Sequence, residues 1–590
     1  METSADVLIC GAGLAGLTLA RQLRRQHPGL EILVVDKTSR PLPDAAHKVG
    51  ESTVELGSQY LERLGLGEYL RERHLLKFGL RFYPGGGQLP LEKRTEIGPS
   101  SEPIVRSYQI DRGRFESDLR AMIVADGVEL LEGHEIGSID LGEGEESHRA
   151  ELQGPSGPVS VRARWLVDAT GRNALLRRKL KLTRGTRHAS SSGWFRVAGK
   201  VDINDWIPDS ARAPGDEEFA SSRWRSTNHL MGSGYWVWII PLSTGNTSIG
   251  VVTHPEYHDS KRILTLDRVR EFIEEQEPQL AERLTEHEVL DFMCIRDYSH
   301  TVGRSWSADR WGIVGEAGAF PDPLYSPGTD FIAIANSFTE ELIRGDLAGD
   351  DLEKRTRELN IQYRALVSGC VDVFREAAPI YGHAPAMVAK IYWDNYAYWS
   401  FLCQYYLQEI YRLSGPAHTE QVEAGQRFIE LSNYVQKLLR EWALLSPHEV
   451  EPFFHDMPAF PSVLVDSHVA LQEKMTPAKT LEYIRSQSRV GEKIVAELVV
   501  RAVSQLGEAK AKELASRVRF DRWTLRIPAD RIRAEKTTGL SRRRALTPLA
   551  RDVERSIGRL PSNTDEEQML AILRPLLSES EEQHRVRAEA

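Results

Sequence analysis

Residues 6 to 10 (Asp-Val-Leu-Ile-Cys) form a short, mostly apolar run, and the pattern predicts a buried strand there. Gly11-Ala-Gly13-Leu-Ala-Gly16 follows, with an apolar helix beginning at Leu14. A second apolar run, Glu31-Ile-Leu-Val-Val, ends at Asp36 and predicts the next strand. The same passage from apolar strand into glycine recurs twice. Ala163 to Asp168 leads to Gly171-Arg172, and Trp311 to Val314 leads to Gly315-Glu316. Between these, segments rich in Trp, Phe, Val and Ile predict strands of a second sheet, among them 193–199, 236–241 and 247–252. From about residue 350 charged helical stretches dominate, with breaks near Pro416, Pro447, Pro452 to Pro461, Pro477 and Pro528. Within 388–413, Tyr392, Tyr396, Trp399, Cys403 and Tyr406 fall on one helical face. That spacing predicts a core stripe in preference to a substrate-pocket wall.

The chain is 590 residues long, which implies roughly three or four domain-sized units, fewer if one is large. With 41% hydrophobic and 27% charged residues it has the composition of a globular protein, and no apolar run suggests a membrane span. Met1-Glu2-Thr3-Ser4 runs straight into a strand, so no secretion signal is expected. Cys10, Cys294, Cys370 and Cys403 are scattered without metal or redox spacing, and a cytoplasmic location is expected. The net charge of −10 gives no general attraction to nucleic acid or anionic membrane.

The first 36 residues have the physical form of a dinucleotide site. Gly11 permits the tight turn, Gly13 lets the backbone approach a pyrophosphate, and Gly16 lets the helix pack on the sheet. The N–H groups at the helix start, around Leu14 and Ala15, face the phosphates. Asp36, followed by Lys37, can accept hydrogen bonds from a ribose diol. Only one such fingerprint is present, so no dedicated NAD(P)H domain is expected.

Several motifs together resemble the flavin-dependent halogenases, over about residues 5 to 345. They are the glycine fingerprint, the Asp168–Gly171 and Gly315-Glu316 segments, Tyr108-Gln-Ile-Asp-Arg112, Gly50-Glu51-Ser52-Thr53, and Trp236-Val-Trp238-Ile-Ile-Pro241. The resemblance implies an α/β fold of the glutathione-reductase type. The FAD-binding domain would come in three pieces (1–75, 111–185, 301–345) and a substrate-side sheet in two (76–110, 186–300). A C-terminal helical domain (346–575) and a flexible tail (576–590) would follow. FAD contacts are expected from Gly11, Gly13, Leu14, Ala15, Gly16, Asp36, Lys37, Glu51, Ser52, Arg112, Asp168, Gly171, Gly315, Glu316 and Pro323.

In that family a reduced flavin makes an electrophilic halogen, and a wall beside the flavin keeps the organic substrate away. Lys77, 26 residues after Glu51, matches the family's catalytic lysine. It would hydrogen-bond hypohalous acid as the ammonium, or form a haloamine as the free amine, and burial would favour the amine. Trp236 and Trp238, two apart on a strand, point to the same face and would form the wall. The Phe320–Asp330 region would hold chloride or bromide through Ser326, Gly328 and Thr329; no metal is expected.

Four departures bear on function. Tyr325 stands where tryptophan halogenases carry a glutamate, which points to phenol- or pyrrole-type substrates. Pro327 lacks an N–H where a halide donor is expected. Glu316 replaces an aspartate, and Glu55 replaces a proline. The expected activity is FADH2-, O2- and halide-dependent halogenation of a small electron-rich aromatic, free or tethered to an acyl or peptidyl carrier protein, with a separate flavin reductase supplying electrons. The alternatives are an aromatic hydroxylase (a flavin monooxygenase) or other oxidoreductase of the same fold, and a non-catalytic carrier-binding protein. The segment Arg517 to Arg555 holds 12 basic and 5 acidic residues, including Arg542 to Arg544. It reads as a solvated helical face, with carrier docking as the sharper possibility.

Overall fold

A computed structural model describes residues 2–42, 50–207, 222–446, 450, 452–457, 462–518 and 548–558. Strand Glu2–Cys10 lies at the centre of the first sheet, parallel to Gly157–Asp168 on one side and Ile32–Asp36 on the other. Trp311–Ile313 and Glu129–Glu132 extend this parallel core in both directions. The apolar run has no exposed face to spare. Val7, Ile9 and Val34 enter one core with the Leu14–Gln26 helix, while Leu8, Cys10, Leu33 and Val35 enter a second core on the opposite face. Helix Gly328–Ala348 packs on the first of these faces. Its Asn336 Nδ2 donates to the Ala15 carbonyl, Thr18 Oγ1 and Tyr60 Oη, each at 3.0 Å. One side chain thereby ties together the helices Leu14–Gln26, Glu55–Arg63 and Gly328–Ala348.

The second sheet places strands Val289–Ile295, Ser191–Val197, Thr247–Thr253, Tyr235–Pro241, Thr227–Gly232, Leu80–Tyr83 and Glu96–Gly98 side by side. Strict alternation splits its side chains. Trp194, Trp236, Trp238 and Phe82 face the first sheet and the helices. Phe195, Val237, Ile239 and Val251 face a separate core closed by helix Leu266–Gln276. Gly250 leaves the room that the Trp238 indole occupies, since a Cβ there would fall 2.1 Å from Trp238 Cζ2.

The C-terminal half is helical, with long helices at Leu352–Phe374, Ala384–Ala397 and Pro416–Leu445, and a helical stretch Pro477–Val518 broken at Gly507 (φ 71°). Pro416 and Pro477 begin helices, the position that tolerates a missing N–H. A short strand from this half, Phe454–Asp456, pairs with Glu96–Gly98 and completes the second sheet. Tyr392, Tyr396, Trp399, Cys403 and Tyr406 are all buried, as a core stripe requires. The face is not continuous α-helix, however. Residues Tyr398–Cys403 form a π-helical turn, which rotates Tyr398 and Phe401 relative to a regular helix. Among the described residues no helix is long and apolar enough to cross a membrane.

Candidate active site

The carboxyl ends of the first sheet open into a cavity of about 610 Å³ that runs from Asp36 and Lys37 to Trp236 and Trp238. Its near end is the glycine turn. Gly11 has φ +110°, and a Cβ there would lie 2.5 Å from the Ala169 carbonyl oxygen. Helix Leu14–Gln26 starts with no side-chain cap and no acidic residue in its first turn, so its free N–H groups suit a phosphate. Asp36 accepts from Ala12 N at 2.7 Å and Thr38 N at 2.8 Å, with Arg120 Nη2 3.3 Å away. At the far end Trp236 is buried, and its Nε1 has no hydrogen-bond partner among the described residues. A buried orphan donor beside a cavity of this size is what a polar ligand would satisfy. The residues present therefore fit a bound dinucleotide with a polar ring system against the tryptophans.

Gly11, Gly13, Leu14, Ala15, Asp36, Lys37, Glu51, Ser52, Arg112, Gly171, Gly315, Glu316 and Pro323 all line this cavity, as do Trp236, Trp238, Ser326, Gly328 and Thr329. Two assigned cofactor residues do not. Gly16 packs under the turn, where a Cβ would fall 1.9 Å from the Gly11 oxygen. Asp168 turns inward and holds the loop after its strand, accepting from Thr170 N, Thr170 Oγ1 and Leu176 N at 3.0, 2.6 and 2.8 Å. Glu316 pairs with Arg172 at 2.7 Å on the rim. Glu51 is buried, and loss of solvation raises its pKa to about 7 against a Ser248 hydrogen bond and the Arg196 charge.

Lys77 does not line the first cavity. It lines a second one, of about 200 Å³, on the far side of a thin partition. Three pieces of chain build that partition. Ser52 faces the first cavity and Val54 and Glu55 the second. Thr227 and His229 face the first, while Leu80 and Phe82, on the neighbouring parallel strand, face the second. Ser326, Gly328 and Thr329 face the first, whereas Tyr325, Pro327 and Asp330 face the second. The last alternation needs two consecutive left-handed residues, Tyr325 (φ 67°) and Ser326 (φ 59°). Such strained backbone concentrates at functional sites.

Lys77 bridges the partition. Its Nζ donates to Ser52 Oγ at 2.9 Å and to the Thr53 carbonyl at 2.8 Å. Ser52 in turn shares a hydrogen bond with Thr227 Oγ1 at 2.9 Å. Burial brings the lysine pKa down to about 7, with Glu55 and Asp330 pulling it back up. Both protonation states are therefore accessible near neutrality. His229, in the partition, stacks on Phe82 with centroids 4.6 Å apart. Burial lowers its pKa to about 3, which keeps it neutral.

The second cavity is mostly aromatic and aliphatic, with polar groups the motif reading did not assign to the site. Asp330 and Tyr398 face it, as do Asp394 and Trp399. Tyr325 donates to Asp394 Oδ2 at 2.9 Å, and Lys390 pairs with the same carboxylate at 3.0 Å. Asp330 sits in the first turn after Gly328-Thr329, an acidic side chain amid apolar helix positions, and that was the available signal. Tyr398 gave none, because the stripe at 392, 396 and 399 skips it until the π turn brings it inward. Trp399, read as core, is both buried and part of the cavity wall. Arg542 to Arg544 lie outside the described residues.

The family described as "FAD binding domain" matches residues 4–317, more than half of the chain. A flavin-dependent halogenase, chlA, of Dictyostelium discoideum is 28% identical over 433 residues, covering 68% of this chain and 70% of that protein. A 1H-pyrrole-2-carbonyl-[peptidyl-carrier protein] chlorinase of Pseudomonas fluorescens is 26% identical, over 55% of this chain and 72% of its own. Among solved structures, halogenase PltM in complex with phloroglucinol and FAD superposes with a TM-score of 0.59 at 16% identity, over 83% of this chain and 96% of that one. The flavin-dependent brominase Bmp2 gives 0.52 at 23% identity, over 64% and 87%. At these identities the two structures speak for the fold. With a nucleotide cradle at one end, tryptophans at the other and a buried lysine beyond, the chain belongs to the FAD-binding domain family, and flavin-dependent halogenases are among the proteins it is similar to.

Proposed function

We propose that the protein halogenates a small electron-rich aromatic, phenolic or pyrrolic, using reduced FAD, dioxygen and chloride or bromide. The observation that carries this reading is the partition: a dinucleotide-sized cavity and a second, largely apolar one, with Lys77 spanning the wall between them. Bound reduced FAD supplies, with dioxygen, the oxidising equivalent that turns halide into hypohalous acid. Gly11, Gly13, Asp36 and Arg112 would hold it, with Trp236 and Trp238 against its far end. The backbone N–H groups of Gly328 and Thr329 receive the halide. Pro327, which cannot donate, lines the other cavity, so its missing N–H does not weaken that role.

Lys77 then receives the hypohalous acid. Its position, held by Ser52 and Thr53, lets an ammonium hydrogen-bond the oxygen or a free amine accept the halogen, and a pKa near 7 makes either form available. A separate flavin reductase delivers the electrons, and the substrate is taken free or on a carrier protein. The enzyme acts in the cytoplasm, in keeping with cysteines that are all unpaired.

The test is a single turnover with chemically reduced FAD, dioxygen and bromide over phenols, pyrroles and indoles, read by mass spectrometry. A bromine isotope pair is expected in the product and should fall at least ~100-fold in Lys77→Ala. Oxygenated product without bromine would make the protein a monooxygenase.

A further inference from the structure

We propose that Asp330, positioned by Tyr398, is the group that recognises the substrate: it accepts the proton of a ring hydroxyl in the second cavity while the ring attacks the halogen. This rests on the halogenase reading above and adds to it a substrate class, ring-hydroxylated arenes, and a residue that selects them.

The geometry is specific. Asp330 is 1% exposed and faces the same 200 Å³ cavity as Lys77. Gly57 N donates to its Oδ1 at 2.8 Å, and Tyr398 Oη donates to its Oδ2 at 2.8 Å. Leu56 N donates in turn to Tyr398 Oη at 3.1 Å, fixing the phenol's own direction. Each carboxyl oxygen thus accepts one bond where it has capacity for two. Glu55, the other carboxyl facing Lys77, lies 3.4 Å from His468 Nε2, a nitrogen that also accepts from Val105 N, and Asp394 is taken up by Tyr325, Gln436 and Lys390. Asp330 carries only those two hydrogen bonds, and no ion pair, among the described residues.

The groups that act on Asp330 are Lys77, Glu55 and Tyr398, with the Cys370 and Cys403 thiols sensing its charge from the two helical segments opposite. Burial raises its pKa to about 7, against the Tyr398 and Gly57 hydrogen bonds. That makes it a better proton acceptor than an ordinary aspartate and still ionised just above neutrality.

The step balances. The ring's electron pair forms the carbon–halogen bond as the oxygen–halogen bond of hypohalous acid breaks. The departing hydroxide takes a proton from the Lys77 ammonium and leaves as water. Asp330 takes the hydroxyl proton, so that a neutral dienone forms in place of a cation. The ring C–H proton then passes to the Lys77 amine, and the oxygen recovers its proton from Asp330. Both residues return to their starting states, and the sum is arene plus hypohalous acid giving haloarene plus water.

The experiment compares resorcinol with 1,3-dimethoxybenzene, two electron-rich rings of which the first has hydroxyl protons. Full-length enzyme with reduced FAD, dioxygen and bromide is used, and hypobromous acid is followed separately with a scavenger. Wild type should brominate resorcinol at least about 100-fold faster than its ether. Its kcat/KM for resorcinol should also show an acid limb near pH 7. Asp330→Asn should lower the rate on resorcinol about 100-fold relative to the rate on the ether, and erase that limb. Tyr398→Phe should show a smaller loss and a displaced limb, the mark of a positioning residue. Equal losses on both rings in Asp330→Asn, or none, would overturn the proposal. A wild type that treats the two rings alike would overturn it without any variant. A wild type that makes neither hypobromous acid nor brominated product would instead bring down the halogenase reading itself.

Discussion

Lys77 is a cation with none of its surface in water, which is costly for the fold and useful for chemistry. Its native pKa lies near 7, below the ordinary 10.5. Between those limits the unfolded chain holds a proton that the folded chain has released, so this group's contribution to stability rises with pH across the window. At pH 7 and below the full burial penalty is present. Lys77→Met, which keeps the length and removes the charge, should therefore raise the melting temperature most at pH 6 to 7. The gain should shrink as pH approaches about 10, while product formation falls at least ~100-fold. Differential scanning calorimetry at three pH values decides it, and a lowered melting temperature at pH 6 would mean that Ser52, Thr53 and the carboxylates more than compensate. Trp236 gives a second test at this scale. Trp236→Ala opens the wall beside its orphan indole nitrogen, and a product carrying oxygen without bromine should appear in the mass spectrum.

The elements that were legible from the chain are those whose signal is local. The strand Glu2–Cys10, the glycine turn and the helix from Leu14 lie within 25 residues of one another, and their apolar runs and glycines say so directly. Trp236 and Trp238 share a face because strand periodicity is rigid, and their rings stand 5.8 Å apart. The second cavity was not legible, because it is made by convergence. Asp330 meets Gly57 from 273 positions away and Tyr398 from 68, and the turn that carries Tyr398 departs from the helical period by which a stripe is read. Asp168 was misassigned for the converse reason: an acidic residue before a glycine loop can serve the loop instead of the ligand. The same logic of convergence governs Asn336, which holds three helices by one amide. Asn336→Leu leaves Tyr60 Oη and the Ala15 carbonyl without that donor, and should cost about 2 kcal/mol in urea unfolding. FAD affinity should fall with it, since the Leu14–Gln26 helix carries the phosphate-facing turn.

Two eight-stranded sheets and the helical half enclose both chambers, and stability is linked to what fills the first. A ligand that binds the folded chain alone stabilises it by RT ln(1 + [L]/Kd), about 2.7 kcal/mol at a hundredfold excess over Kd. Thermal melts should therefore shift upward with FAD concentration in wild type. Gly11→Val, which forces a side chain into the Ala169 carbonyl at a left-handed φ, should abolish the shift. The helical half is more than an appendage in this picture, because it supplies one strand of the second sheet and most of the second chamber's wall.

The partition has one more consequence. A diffusible electrophile normally reacts wherever the ring is most electron-rich. Here Ser52 and Lys77 join the two chambers, between a loop and a strand pair whose two sides face different chambers. On the proposed reading Lys77 hands over the halogen at one fixed place, and the ring atom that lies before it is the one that reacts. The site of halogenation is then a property of how the arene is parked. Reshaping the apolar walls around Phe82 and Phe374 should move the halogen to a new ring position without any change in the oxidant.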